Sequence, residues 1–191
     1  EGIKLDTAQK IPADHLIFGT YGHAATFLLA KSSGELKPIV VAFSSDRKEP
    51  LAEVYDGGKK NLFVVFQAPV AGIAYMEFAK TFFSYFEPKS VIVFESMPLI
   101  RYTAEPTGRE TRKPLIRHLA NKKASETLST KIPTVEVGRV LHGVVADIFT
   151  YCELNGIAVV VFLVAYLEYQ MIFEEVKVFD EVKESYDFLG K

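Results

Sequence analysis

The 191-residue chain has one cysteine, no marked excess of either charge, and no apolar run long enough to cross a membrane. Each of these shortages excludes something. A lone thiol, Cys152, can make neither an internal disulfide nor an all-cysteine zinc site, and it suits a reducing, intracellular compartment. Lys and Arg number 22 against 24 Asp and Glu, so the net charge of -2 argues against a nucleic-acid binder working through bulk electrostatics. The longest apolar run, 157–167, is about half of what a membrane-spanning helix needs. No secretory signal opens the sequence, and a start at Glu1 instead of Met reads as a trimmed terminus. With 49% hydrophobic and 24% charged residues, the composition is that of one ordinary soluble domain spanning 1–191.

What is present is a strong alternation of two kinds of apolar segment. From Val137 to Cys152, apolar residues recur at three- and four-residue steps, with Arg139, His142, Asp147 and Thr150 between them, which predicts an amphipathic helix. Asn155-Gly156 reads as a left-handed C-terminal cap. Ile157 to Leu163 then follows as a β-branched run without a polar side, the mark of a strand covered on both faces. Similar strands are predicted at 15–18, 39–43, 62–66 and 91–94, with a weaker one at 51–55, and helices at 24–29, 75–86 and, at the C-terminus, 176–189. Pro88 is read as closing the second helix. Between Pro98 and Pro133 the periodicity gives way to prolines and to Arg109, Arg112, Lys113, Arg117, Lys122 and Lys123, read as a long basic excursion with a short helix at 114–121. The expected architecture is a single three-layer α/β sandwich with a mostly parallel central sheet, allowing antiparallel strands within 39–66.

Chemistry finds no anchor. Gly19-Thr20-Tyr21-Gly22 lies where Rossmann-like folds cradle phosphate, but it lacks the G-x-G-x-x-G spacing, and bulky Tyr21 would crowd a ligand, so a structural turn is preferred. Were phosphate bound, the amides of 21–23 would hold it. His15, His23, His118 and His142 show no metal-ligand spacing. His142 with Asp147 reads as two solvated residues of a helix, and Cys152 as a core thiol. No serine sits in a nucleophile elbow. No catalytic, cofactor or metal residue is therefore assigned. Candidate partner contacts are Tyr75, Phe82, Phe83 and Phe86, whose aromatic arc is wider than one sheet face covers, the basic Arg109, Arg112 and Lys113, and Tyr186, Phe188 and Leu189 near the C-terminus.

Ile132-Pro133-Thr134-Val135-Glu136-Val137, a following helix with Tyr151-Cys152-Glu153 near its end, and the apolar strand to Tyr166 resemble the proteasome assembly chaperone family. The strand–glycine–helix opening with Ala24, Ala25, Phe27 and Leu28, the run Val91 to Arg101, and Pro114 to Arg117 agree more loosely. The resemblance implies a nucleoside-phosphorylase-like sandwich without an active site and a non-enzymatic chaperone that needs no cofactor. It implies pairing with a proteasome assembly chaperone 2-like chain as a heterodimer, and binding to α-subunits of the 20S core particle in the cytoplasm, with the nucleus as a second setting. Neither nucleic acid nor membrane enters. A family hallmark is a C-terminal hydrophobic-Tyr-any tail. This chain departs from it, ending Phe188-Leu189-Gly190-Lys191 with Ser185 before Tyr186, so the motif is absent, lost or trimmed here; pocket insertion is not carried over from the family, whereas binding through the folded surface is. The alternatives are a nucleotide- or phosphate-binding enzyme on a Rossmann-like fold and a generic dimeric scaffold.

Overall fold

Strands that are apolar on both sides must be sandwiched, and the computed structural model shows how the chain does it. It describes residues 3–5, 11–20, 22–31, 37–44, 50–67, 75–102, 115–136 and 141–166. In chain order the elements are β1 (Ile3–Leu5), β2 (Ile11–Gly19), α1 (His23–Lys31), β3 (Val40–Ser44), β4 (Pro50–Gly58), β5 (Asn61–Phe66) and α2 (Tyr75–Tyr85). They continue with β6 (Phe86–Pro98), α3 (Leu99–Tyr102), β7 (Leu115–Ala120), α4 (Lys122–Ser125), α5 (Gly143–Leu154) and β8 (Ala158–Tyr166). Among the described residues the strands form one eight-stranded sheet in the order β1-β3-β4-β5-β2-β6-β8-β7.

The expectation of a mostly parallel sheet is corrected to a mixed one. The centre, β5-β2-β6-β8, is parallel, whereas β1, β3 and β4 form an antiparallel wing on one side and β7 pairs antiparallel to β8 on the other. Only the parallel centre needs cover on both faces, and it has it. Along β8, Val159, Val161, Leu163 and Ala165 enter the core beneath α2 and α5, while Val160, Phe162 and Val164 enter the core beneath α1. Strand β6 divides in the same way, Val91 and Val93 on one face and Ile92 and Phe94 on the other. Three layers result.

Helix α5 and its stop follow from local chemistry. Gly156 takes φ 64, Ile157 N–H donates to the Cys152 carbonyl at 2.9 Å and Gly156 N–H to that of Glu153 at 3.3 Å, which is the Schellman pattern of a glycine-ended helix. The start differs from expectation. The apolar periodicity reaches back to Val137, yet Leu141 and His142 are not helical, because Gly143 enters the helix with φ 64 and His142 is extended at the N-cap. Residues 137–140 lie outside the described residues.

Two further differences have clear causes. Pro88 lies within β6, paired with Ala13 of β2; the partner ladder to β8 begins only at Ser90, so the missing N–H deprives no second neighbour. The stretch read as a short helix at 114–121 is the edge strand β7, half-buried on both faces, so its apolar residues show neither a helical arc nor a clean alternation. The weak strand at 51–55 is the full-length β4, whose outer neighbour β3 and inner neighbour β5 are both antiparallel. The C-terminal helix predicted at 176–189 falls outside the described residues. No helix among the described residues is long and apolar enough to cross a membrane.

Asn121 pins this edge to the centre. Its buried side chain accepts from Ala124 N–H at 2.9 Å, which starts α4, accepts from Val159 N–H at 3.1 Å, and donates to the Ile157 carbonyl at 2.8 Å. Asn121→Ala would orphan two donors and a carbonyl at the root of β8, a loss of about 3 kcal/mol. Urea denaturation checks this against Lys123→Ala, whose exposed contact to the Gly156 carbonyl predicts a change below about 0.5 kcal/mol.

Candidate functional site

The carboxyl ends of the central parallel strands are where an open α/β sheet offers a crevice, because successive strands send their helices to opposite faces. Here β2 leads to α1 on one face and its neighbour β5 leads to α2 on the other. Gly19 closes β2 at this edge. A Cβ on Gly19 would lie 2.7 Å from the Ala24 carbonyl oxygen and 2.8 Å from Leu28 Cδ1, so glycine is required by the close approach of α1. Gly22 is required for another reason, its φ of 95. Three amides of the first turn of α1 are engaged: Ala24 N–H donates to Ser96 Oγ at 3.3 Å, Ala25 N–H to the Thr20 carbonyl at 3.0 Å, and Thr26 N–H to the Gly22 carbonyl at 3.1 Å. The glycine turn is thus built for helix packing. Tyr21 lies outside the described residues.

On the opposite face of the same edge lies Glu95 of β6. Its Oε2 is fully buried and has no hydrogen-bond partner. Burial pushes its carboxyl up to about 7, with the Thr20 hydroxyl and the Arg101 charge pulling the other way. Glu136 is its counterpart. Burial raises its carboxyl as well, but the Tyr102 hydroxyl and Arg117 Nε, which donates at 2.8 Å, outweigh that and bring it down to about 2. The Tyr102–Glu136–Arg117 cluster ties α3, β7 and the 134–136 segment together. That segment also runs beside β7, with Val135 N–H donating to the His118 carbonyl at 2.8 Å.

At the amino ends of the strands, Asn61, His15 and Ser90 form one transverse row. His15 Nδ1 lies 2.6 Å from Ser90 Oγ, and burial lowers the pKa of the ring. Cys152 is on the buried face of α5 and burial pushes its thiol up to about 12, so it packs as an apolar side chain. His142 occupies the α5 N-cap without a side-chain capping bond, and burial raises the Asp147 carboxyl. Among the described residues no three His, Cys, Asp or Glu side chains come together as metal ligands.

The residues assigned to partner contact fall in two groups. Phe82, Phe83 and Phe86 are core residues, exposed by 0%, 5% and 1%. The width of their arc has an internal cause: α2 packs on the sheet and also against α5. Phe82 stacks on Phe86 at 4.5 Å and meets Phe18 of the sheet at 5.5 Å, whereas Phe83 stacks on Tyr151 of α5 at 4.8 Å. The sequence alone could not reveal that second helix beside the first. Tyr75 begins α2, and Arg109, Arg112, Lys113, Tyr186, Phe188 and Leu189 lie outside the described residues. The large apolar side chains that do stand exposed among the described residues are Leu154, at the end of α5, and Ile39, just before β3. Glu95 was overlooked by sequence reasoning; a lone glutamate ending a run of four apolar strand residues was the available signal.

No protein-family model matches the sequence, and no curated protein does. Solved structures match in fold. Pyrococcus furiosus PbaA, described as an archaeal homolog of proteasome-assembly chaperone, superposes with a TM-score of 0.71 at 14% identity, covering 100% of this chain and 85% of that one. Pyrococcus furiosus PbaB, described as an archaeal proteasome activator, does so with a TM-score of 0.61 at 13% identity, covering 96% and 98%. A Mycobacterium tuberculosis proteasome-assembly chaperone homologue gives 0.54 at 11% identity, covering 92% and 88%. At such identities the likeness establishes the fold.

Two outcomes are expected. Gly19→Ala drives a methyl into the Ala24 carbonyl and should lower stability by roughly 1–3 kcal/mol, read as a lowered Tm. For Glu95, the folded chain holds the proton more tightly than the unfolded chain does. Its contribution to stability is therefore full below the ordinary value of 4.5 and is lost as pH rises through about 7. Glu95→Gln should remove that slope and exceed the parent above neutral pH by on the order of 3 kcal/mol. Parallel stability-versus-pH curves for the two proteins would show that Glu95 titrates as a solvated carboxylate.

Proposed function

We propose that this chain is a proteasome assembly chaperone, most like proteasome assembly chaperone 1, acting by protein contact without catalysis. The observation that carries the reading is the fold likeness to PbaA, which covers this chain from end to end. The sequence resemblance over Ile132 to Tyr166 adds support, because its described residues form the strip beside β7, then α5, its glycine stop and β8. The local chemistry agrees with a non-enzymatic role. The glycine turn serves the packing of α1, and the one thiol is a core group.

On this reading the chain pairs with a proteasome assembly chaperone 2-like chain and binds α-subunits of the 20S core particle while their ring assembles. It uses a nucleoside-phosphorylase-like frame for binding alone. Holding one face of the α-ring would block off-pathway ring dimers and premature capping. The working compartments are the cytoplasm and the nucleus.

Affinity purification of the tagged chain from its native cells, followed by mass spectrometry, is expected to recover a related chaperone together with proteasome α-subunits. Recovery of neither would sink the proposal, and native mass spectrometry showing only a homodimer would favour the generic scaffold.

A further inference from the structure

A strand at the edge of a sheet shows a row of unpaired N–H and C=O groups, which is a template for another strand. Among the described residues β7 is such a strand: it pairs with β8 on one side only, and all six of its residues are half-buried. His118 marks which groups point outward. Its N–H donates to the Pro133 carbonyl at 2.9 Å and its carbonyl accepts from Val135 N–H at 2.8 Å, so its backbone faces away from β8, and by alternation those of Ile116 and Ala120 do too. The pairing is a parallel bridge that sets Thr134 opposite His118. One ladder step earlier, the donor for the Ile116 carbonyl would be the N–H of residue 133, which is proline and has none. Arg117 supplies the donor instead. Its Nη1 donates to the Ile116 carbonyl at 2.9 Å, while its Nε donates to Glu136 Oε1 at 2.8 Å and the Tyr102 hydroxyl donates to Glu136 Oε2.

One side chain therefore caps an open carbonyl of the edge and clamps the strip 132–136 that covers the next outward residue. Two backbone hydrogen bonds alone are a marginal hold, and the charge-assisted contacts of Glu136 make it firm. The Arg117 side chain is only 20% exposed, so water competes little for it. The strip itself is a poor template, because Pro133 halts its ladder and Ile132 N–H is taken by Thr130 Oγ1 at 3.1 Å. We infer that the strip 132–136 is an edge guard: locked by Arg117 and Glu136, it keeps β7 from pairing with β7 of a second copy of this chain. Two identical edges placed antiparallel are self-complementary, since a two-fold axis sets the outward groups of each against those of the other. Leu115 and Leu119 on one face of β7, and Ile116 on the other, would then extend both cores across the new pair. The strip lies outside the β7–β8 ladder, so its release opens the edge and leaves the sheet whole. The guard belongs to the fold and stands whichever protein the chain binds.

The test uses the full chain and two variants of the guard. Val135→Pro deletes the N–H that serves the His118 carbonyl, and Glu136→Gln removes the charge that clamps Arg117. Hydrogen exchange at the Ile116 and His118 amides is read together with sedimentation equilibrium over a series of protein concentrations. At low concentration the His118 amide of each variant should exchange at least roughly ten-fold faster than in the parent. As concentration rises, a species of twice the parent's mass should appear, in which the Ile116 and His118 amides are protected. Glu126→Gln, which removes an exposed carboxylate outside the strip, should behave as the parent does. An unchanged His118 amide, a mass distribution that matches the parent's at every concentration, or association that leaves both amides unprotected overturns the guard. Glu136→Gln decides alone if Val135→Pro fails to fold.

Discussion

Everything in this fold depends on four parallel strands, β5, β2, β6 and β8, having no polar face to turn to water. A sheet of that kind is stable only between two apolar layers. That requirement dictates α2 and α5 on one side and α1 on the other, and the helices in turn dictate the finer details. Gly19 is bare so that α1 can approach closely. Phe82 and Phe83 are aromatic because α2 must reach the sheet and α5 together. The antiparallel wing and β7 are less constrained, and there the chain admits half-buried and polar residues.

How much of this could be read beforehand follows the same division. The parallel core strands were legible because runs such as Val91 to Phe94 and Val159 to Leu163 have no polar side, and the stop after α5 was legible because Gly156 serves a local hydrogen-bond pattern. What depends on distant residues was not. Strand β7 looks helical or irregular in isolation because its neighbour β8 comes some forty residues later, after α4 and α5. The parallel and antiparallel balance was misjudged because an apolar run such as 62–66 carries no mark of the direction of its neighbours. The candidate site was the least legible part. Glu95, Arg101, Arg117 and Glu136 are scattered along the chain, and only sheet register and the return of the 134–136 segment set them around α3.

The polar chemistry has a common character: most of it maintains the frame. Asn121 joins a helix start to a strand root, Ser96 caps α1, and Glu136 gathers Tyr102 and Arg117. A protein whose polar groups are committed in this way is well suited to presenting rigid surfaces. Among the described residues two buried side-chain oxygens stand apart without a partner, Asn61 Oδ1 at the amino ends of the parallel strands and Glu95 Oε2 at the carboxyl ends.

The position of β2 has a consequence for the order of events as the chain is made. This strand emerges early yet occupies the middle of the sheet, with Asn61 and Ser90 as the partners of His15 on its two sides. It cannot pair on either edge until β5 has been synthesised, nor on both until β6 has, and β6 in turn waits for β8. During vectorial synthesis the most apolar strands therefore remain with open edges until β8 is made, and that interval is when the nascent chain is most exposed to aggregation.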